Sequence, residues 1–387
     1  DTCFNIMLGC NAGAALNAGD QNILIGCQAG DSITSGGYNI AIGDRTGCSN
    51  STGSRNITIG GRAGNKVTGA DNLLLGHEAG AYICAGAANI ILGECSGSGV
   101  TSGSCNVILG TRTMYSGNGS ENIIIGKNAA YCSTSITKSI FIGTCAGKCI
   151  KGNYNIALGL CSLLGSSTVS DNTGQTNIAI GMDAMFTISS GSSNIALGCM
   201  AANKLSTGGC NVAIGHKAMQ CGVTTGGCNT AIGYFSLRKV TSGKSNIAIG
   251  KNIAQNLTTA CCNIFMGTFT ASLGTVTGDH NIGLGAVSFQ NLTSGSYNVA
   301  IGRYSFGTGT TTGDKNIGIG CRAALNITSG KDNIFLGTCA GNTTTTGFNN
   351  IAIGCNVELP SATGNDQLAV GAGNTNWISG NCDFNVG

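Results

Sequence analysis

A short alternation of polar and apolar residues recurs along the whole chain. Each copy reads as an asparagine, three mostly apolar residues and a glycine, as in NILIG from Asn22 and NIAIG from Asn350. The chain contains 22 copies at steps of 16, 17 or 18 residues, apart from one step of 22 between Asn155 and Asn177. A fixed period of this size is typical of a solenoid, in which each repeat forms one turn that stacks on the next.

One turn contains a strand flanked by glycines. Counting from the asparagine as position 0, position +4 is glycine in all 22 copies, +1 is Ile, Leu or Val in 21, and +3 is Ile, Leu, Val or Met in all 22. Side chains at +1 and +3 share one face of a strand, and Ile favours strand over helix. We therefore predict an all-β fold, a β-solenoid (β-roll or β-helix) of about 22 turns with 16–18 residues each. Residues 1–371 form this repeat region, and residues 372–387 are a C-terminal cap or tail.

Position +2 is apolar as well, although it points away from the face that carries +1 and +3. In a free-standing turn such a position is expected to be polar, and a long exposed apolar stripe marks an interface. We predict an interface stripe that three copies wrapped about a common axis would bury, which makes the protein a homotrimer. The competing explanation is a second layer within one chain. The stripe is formed by Leu24, Leu74, Ile91, Ile108, Ile124 and Phe141.

The asparagine at position 0 is expected to have a structural role. Stacked asparagine side chains hydrogen bond to one another along the axis of stacked parallel strands, and asparagine also tolerates corner geometry. We predict a structural ladder rather than a ligand site. Its clearest members are Asn22, Asn39, Asn56, Asn72, Asn89, Asn106 and Asn122.

Composition excludes several classes of function. The net charge is +3 and charged residues make up only 9% of the chain, so there is no basic stripe for nucleic acid. No apolar run is long enough to span a membrane. The 16 acidic residues are scattered over the turns and form no column of paired carboxylates. We predict no catalytic site and no bound cofactor. We also predict no metal site, because the paired C-x₂-C and histidine spacing of zinc sites is absent.

Cysteine is abundant, with 21 residues. A chain so rich in cysteine is typical of an oxidising, extracellular compartment. Stacked turns would bring cysteines at matching or adjacent positions within disulfide range, and the alternative is that each cysteine fills a small corner site as a reduced thiol. The predicted pairs are Cys10/Cys27, Cys132/Cys149, Cys145/Cys161, Cys210/Cys228 and Cys339/Cys355.

Three N-x-S/T sequons share position +10 in the predicted outer loop, at Asn256, Asn291 and Asn326. They are candidate glycosylation sites if the chain passes through a eukaryotic secretory route.

The phrases Asn39–Gly43, Asn177–Gly181 and Asn246–Gly250 resemble the β-roll repeats in the heads of trimeric autotransporter adhesins. They are equally similar to the glycine-rich repeats of phage and virus tail or surface fibres. The segment QLAVGAGNTNWISGNCDFNVG, from Gln367, resembles the stretch that often ends such regions. The resemblance implies an elongated, trimeric, extracellular fibre.

The expected function is therefore that of a structural fibre or filament protein at the cell surface, on a virion or elsewhere outside the cell. Its main partner is itself, as a homotrimer or a head-to-tail filament, and a cell-surface glycan or protein is a second candidate partner. The alternative is an ice- or glycan-binding solenoid, because threonine is frequent in the loops. A tailspike glycan hydrolase is a third reading, which the scattered acids disfavour.

Overall fold

The computed structural model describes residues 4–166, 171–373 and 375–380, and the chain divides into two compact units, Asp1–Ser193 and Asn194–Gly387. Eleven short strands lie in the first unit. They are β1 (Ile6–Leu8), β2 (Ile23–Ile25), β3 (Ile40–Ile42), β4 (Ile57–Ile59), β5 (Leu73–Leu75), β6 (Ile90–Leu92), β7 (Val107–Leu109), β8 (Ile123–Ile125), β9 (Ile140–Ile142), β10 (Ile156–Leu158) and β11 (Ile178–Ile180).

The second unit is built in the same way, with one additional strand at its end. Its strands are β12 (Ile195–Leu197), β13 (Val212–Ile214), β14 (Thr230–Ile232), β15 (Ile247–Lys251), β16 (Ile264–Thr268), β17 (Ile282–Leu284), β18 (Val299–Ile301), β19 (Ile317–Ile319), β20 (Ile334–Leu336), β21 (Ile351–Ile353), β22 (Leu368–Ala372) and β23 (Thr375–Gly380).

Within each unit, consecutive repeat strands pair in parallel with equal positions opposite each other. Ile23 of β2 lies opposite Ile40 of β3, and Ile334 of β20 lies opposite Ile351 of β21. The structure thus confirms the all-β parallel solenoid, and the described residues contain no helix that could cross a membrane. In the predicted C-terminal segment, β23 pairs antiparallel with β22, and residues 374 and 381–387 lie outside the described part.

The core differs from the sequence prediction, because the strand faces the interior with position +2. In the first unit Leu24 packs with Ala29 and Ile33, which stand at +7 and +11 of the same turn. The predicted interface stripe is therefore wrong as an exposed surface. All six of its members are fully buried within the single chain: Leu24, Leu74, Ile91, Ile108, Ile124 and Phe141. The second segment of each turn supplies the layer that covers them.

Large and small side chains face each other across this narrow interior in several turns. Where Phe141 and Phe335 occupy position +2, position +8 is glycine: a Cβ built on Gly147 would collide with the ring of Phe141, and one on Gly341 with Phe335. In the turn of Gly283 the order reverses, since a Cβ on Gly283 would lie 3.0 Å from the ring of Phe289 at +8. Interiors tolerate neither voids nor overlap, so in these turns the two positions share the available volume.

Left-handed backbone turns the chain at its corners. Non-glycine residues with φ near +55° occupy −1 and +6 in turn after turn, for example Tyr38 (φ 62°) and Arg45 (φ 51°). Position +4 needs glycine for a second reason, because a Cβ on Gly76 (φ +133°) would lie 2.8 Å from the carbonyl oxygen of Gly93 in the next turn. The corners hold successive turns too close for any side chain there.

Buried asparagines join the turns at position 0. The backbone N–H of Asn39 donates to Oδ1 of Asn22 at 2.9 Å, and its side-chain Nδ2 donates to the same oxygen at 3.1 Å. Nδ2 also donates to the carbonyl of Gly53 at 2.9 Å. The ladder runs without a break through Asn22, Asn39, Asn56, Asn72, Asn89, Asn106 and Asn122. Each member satisfies buried groups of two neighbouring turns.

Candidate interaction surface

The reversed strand orientation places the side chains at +1 and +3 on the outside. We call these two columns the outer isoleucine face: the +1 and +3 residues of β2–β11 in the first unit, and of β12–β22 in the second. Leu75, Ile90 and Ile123 are 40–41% exposed, and in every one of these strands the flanking residues are partly or fully exposed while the central one is buried. The face therefore presents two rows of aliphatic side chains to its surroundings.

The outer isoleucine face is apolar at almost every position. Apart from Thr230, each +1 and +3 residue is Ile, Leu, Val or Met. Because equal positions stack in register, the aliphatic side chains form two unbroken rows in the first unit and, in the second, two rows that only Thr230 interrupts. Parallel sheets are normally covered on both faces, and a contiguous exposed apolar surface marks an interaction site.

Charged residues lie at the corners beside this face. Arg55 and Asp71 both occupy position −1, on successive turns, and Nε of the arginine lies 2.6 Å from Oδ1 of the aspartate. The hydrogen bond from Arg55 holds the pKa of Asp71 below its ordinary value. Arg62 and Glu78 pair in the same way at +6, at 3.3 Å. Such exposed pairs contribute little stability. They form a polar border beside the apolar rows.

The predicted disulfides are realised at one pair. Cys132 and Cys149 stand at +10 of successive turns with a Cα–Cα distance of 4.7 Å and are bonded. The other predicted pairs are unbonded in the structure, which corrects the expectation. These eight free thiols are Cys10, Cys27, Cys145, Cys161, Cys210, Cys228, Cys339 and Cys355.

Cys145 and Cys161 occupy matching positions of successive turns but do not form a disulfide. They share position +6 on successive turns, and burial together with the neighbouring Cys145 raises the pKa of the Cys161 thiol. A thiol with a raised pKa forms little thiolate at neutral pH and is slow to react. The turn register brings these cysteines together without bonding them.

The three sequon asparagines lie half-buried at +10 of turns in the second unit, where their amide nitrogens bind the following turn. Nδ2 of Asn291 donates to the carbonyl of Thr308 at 3.1 Å, and Nδ2 of Asn326 to that of Asn342 at 2.8 Å. Asn256 donates to the carbonyls of Ser272 and Leu273 at 3.2 Å. A glycan would have to displace these bonds, and glycosylation here stays a prediction.

The structure also brings together a group that the sequence did not single out. His77, Glu94 and Cys95 lie at +5 and +6 of two successive turns, with their potential ligand atoms all within 4.8 Å of one another. Cys95 lies 18 positions after His77 in the sequence. Only the register of the turns, which places positions +5 and +6 of successive turns beside one another, could have revealed this group. Searches for short metal motifs do not detect this spacing.

Comparison with known proteins gave no match, since neither a family model nor a curated sequence is similar to this chain. Functional conclusions therefore depend on the outer isoleucine face and on the corner residues beside it.

Proposed function

We propose that this protein is a structural, non-catalytic fibre or filament subunit that associates with copies of itself through the outer isoleucine face. The observation that carries the proposal is the partial exposure of two aliphatic rows in each unit, which only Thr230 interrupts. The proposed location is outside the cell, on a cell or virion surface. The resemblance of the NIAIG phrases to fibre and adhesin-head repeats supports it.

The energetics of burying this face favour association. Fully burying an Ile or Leu side chain stabilises by about 1.5–3 kcal/mol, so covering one that is about two-fifths exposed contributes roughly 0.5–1 kcal/mol. Most side chains in the two rows of β2–β11 are less exposed than this, so the total is on the order of 5–15 kcal/mol. Association of two proteins costs an estimated ~4–15 kcal/mol. Full coverage of the face can therefore offset that cost, whereas a few isolated isoleucines could not.

A homotrimer is the proposed form. Each unit offers one principal apolar face, and three copies of such a face turned toward a common axis would cover one another, because every contact is repeated by symmetry. A head-to-tail filament is the second form, and a cell-surface glycan or protein is a further candidate partner, which the polar loops opposite the face would contact.

The test is the mass of the full chain in solution by light scattering, with and without a thiol reductant, because exposed cysteines such as Cys10 could cross-link chains. A reductant-independent mass of three times 38.5 kDa supports the trimer. A concentration-dependent series of masses supports the filament. A monomer at high concentration would overturn self-association.

Two matched variants localise the contact. The first introduces charge into the outer isoleucine face, and the second introduces the same charge at exposed loop positions of the first unit. The face variant carries Ile90→Lys, Ile123→Lys and Ile142→Lys, and the control carries Ser35→Lys, Thr52→Lys and Thr134→Lys. We expect the face variant to dissociate into folded monomers and the control to keep the mass of the unaltered chain. Equal behaviour of the two variants would contradict the proposed contact.

An ice- or glycan-binding surface is a second candidate, favoured by a column of threonines at +12. The hydroxyl of Thr241 donates to the carbonyl of Thr258 in the next turn at 3.0 Å, and that of Thr328 to Thr345 at 3.1 Å. These hydroxyls are oriented by the turn spacing and are only partly buried. Thermal hysteresis of the purified protein tests the ice-binding form, and binding to arrayed glycans tests the other.

A further inference from the structure

One corner of the first unit carries three different metal-binding side chains. His77 follows β5 at position +5, and Glu94 and Cys95 follow β6 at +5 and +6. An imidazole nitrogen, a carboxylate oxygen and a thiol sulfur can each reach within 4.8 Å of the others. The cluster thus combines two turns and all three donor elements that proteins use for zinc.

The backbone fixes the relative position of these residues. Cys95 has a left-handed φ of 51°, and its N–H donates to the carbonyl of His77 at 2.9 Å. On the other side of His77 the preceding turn has glycine at the same position, and even a Cβ added to Gly61 would only be in van der Waals contact, 3.4 Å from Cδ2 of the imidazole. The ring therefore has room beside it, and the peptide units under the three side chains are held by the solenoid.

The electrostatic surroundings favour a cation. Sγ of Cys95 donates to Oε2 of Glu78 at 3.8 Å, which brings a second carboxylate to the cluster. Arg62 pairs with Glu78 at 3.3 Å. Two carboxylates thus face the thiol from both turns, and one of them is shared with an arginine.

Other corners with the same residue types are arranged differently. The ring of His216, also at +5, stacks on that of Tyr234 at a centroid distance of 5.4 Å. Cys145 and Cys161 neighbour each other at +6. Position +6 in the turns before and after Cys95 holds Glu78 and Arg112, so its own column offers no cysteine for a disulfide. Among the described residues, the grouping of His77, Glu94 and Cys95 is the one found that could hold a metal ion.

We propose that His77, Glu94 and Cys95 bind a divalent transition-metal ion of the zinc class, with Glu78 or water completing the coordination. Mixed nitrogen, oxygen and sulfur ligands suit zinc and cobalt(II), whereas calcium and magnesium require oxygen ligands. Binding displaces the thiol proton, since the thiolate is the ligand. Because the ligands come from two turns, the ion ties the turn after β5 to the turn after β6. This site is independent of self-association through the outer isoleucine face.

The experiment uses the reduced full-length protein and zinc alone, in competition with a chromophoric chelator, to count bound equivalents. His77→Ala and Cys95→Ser should each lose one equivalent relative to the unaltered chain. His216→Ala is the matched control, because it removes a histidine from the same position of another turn, and it should lose none. Unchanged stoichiometry in His77→Ala or in Cys95→Ser would overturn the site.

Cobalt(II) provides a readout that does not depend on counting among the many other cysteines. A thiolate-to-cobalt charge-transfer band should appear on addition of one equivalent and should be lost in Cys95→Ser. In the cobalt-loaded chain, protection from hydrogen exchange should increase in the segments that follow β5 and β6. A band that persists in Cys95→Ser, or that is insensitive to His77→Ala, would assign the metal to other thiols and refute the proposal.

Discussion

Removal of one asparagine from the position 0 ladder is the sharpest test of what joins the turns. Asn106 is fully buried. Its Oδ1 accepts both the backbone N–H and the Nδ2 of Asn122, each at 3.0 Å. Its own Nδ2 donates to the carbonyl of Gly119 at 2.8 Å and to Oδ1 of Asn89 at 3.0 Å. Asn106→Ala removes all four of these bonds at once.

The lost bonds do not cost the same. Nδ2 of Asn122 keeps its bond to the carbonyl of Ile136 at 2.9 Å, and Oδ1 of Asn89 keeps the backbone N–H of Asn106 at 3.1 Å. The backbone N–H of Asn122 is left buried without an acceptor, which costs about 1–3 kcal/mol. The remaining bonds contribute about 0.5–1.5 kcal/mol each. Together these terms predict that Asn106→Ala destabilises this part of the solenoid by about 2.5–7.5 kcal/mol.

Asn106→Ser is the matched control, and the chain contains its precedent. At Ser139 the ladder position is a serine whose hydroxyl oxygen accepts the backbone N–H of Asn155 at 3.2 Å, while its own N–H donates to Asn122 at 3.0 Å. A serine at 106 should likewise offer an acceptor to the next turn. We expect it to recover about 1–2 kcal/mol of the loss caused by alanine, because it restores one buried hydrogen bond.

The assay is native-state hydrogen exchange read by mass spectrometry, because solenoids open locally and one global transition would average over many turns. Peptides that contain β7 (Val107–Leu109) and β8 (Ile123–Ile125) should lose protection in Asn106→Ala. A peptide containing β20 (Ile334–Leu336), in the other unit, should not change. If alanine and serine cause equal losses, or if protection at β7 and β8 is unaltered, the ladder does not stabilise the stacking of turns.

Two further perturbations test the core and the cross-link. Phe141→Ala should cost about 3–5 kcal/mol by urea unfolding, as for other buried phenylalanines. Gly147→Ala should be strongly destabilising alone, but in the Phe141→Ala background it should cost only the ~1–2 kcal/mol of a left-handed backbone (φ +59°), because the colliding ring has been removed. Additive costs in this cycle would contradict volume sharing between +2 and +8. Reduction of the Cys132–Cys149 bond, which spans 17 residues, should lower stability by about 2–4 kcal/mol, whereas Cys132→Ser should abolish the effect of reductant. An unchanged response to reductant in that variant would assign the effect to other cysteines.

The period and the strands were predictable because they rest on strictly repeated positions. The sequence predicted one strand flanked by glycines in each copy, and the observed strands β2 (Ile23–Ile25) and β3 (Ile40–Ile42) lie there, at positions +1 to +3. Glycine at +4 fixed the corners, since the next turn approaches too closely for a Cβ, as at Gly76. Asparagine at position 0 indicated its role because few other side chains combine a donor and an acceptor at this spacing.

The orientation of the strand was not predictable from its alternation. Both faces are apolar, so a period of two assigns +1 and +3 to one side without saying which side is inside. The deciding information lies in the less regular half of the turn, where Ala29 and Ile33 cover Leu24. The left-handed residues at −1 and +6 set that geometry. A positive φ at residues such as Tyr38 and Arg45 cannot be predicted from their residue type. The His77 cluster was missed for the related reason that its members meet only through the register of turns.

The internal repetition of the chain itself argues that the outer isoleucine face is covered. Inside, position +2 varies from Gly283 to Phe141, and in these two turns position +8 compensates for the volume, with Phe289 in the first and Gly147 in the second. Outside, +3 never departs from Ile, Leu, Val or Met in 22 turns, although no intramolecular neighbour compensates for its size. A position that only met water would accept polar residues at no cost to packing. The narrow range of outer side chains is what a regular, extended partner surface would require, and a second copy of the same repeat supplies a surface with the matching period.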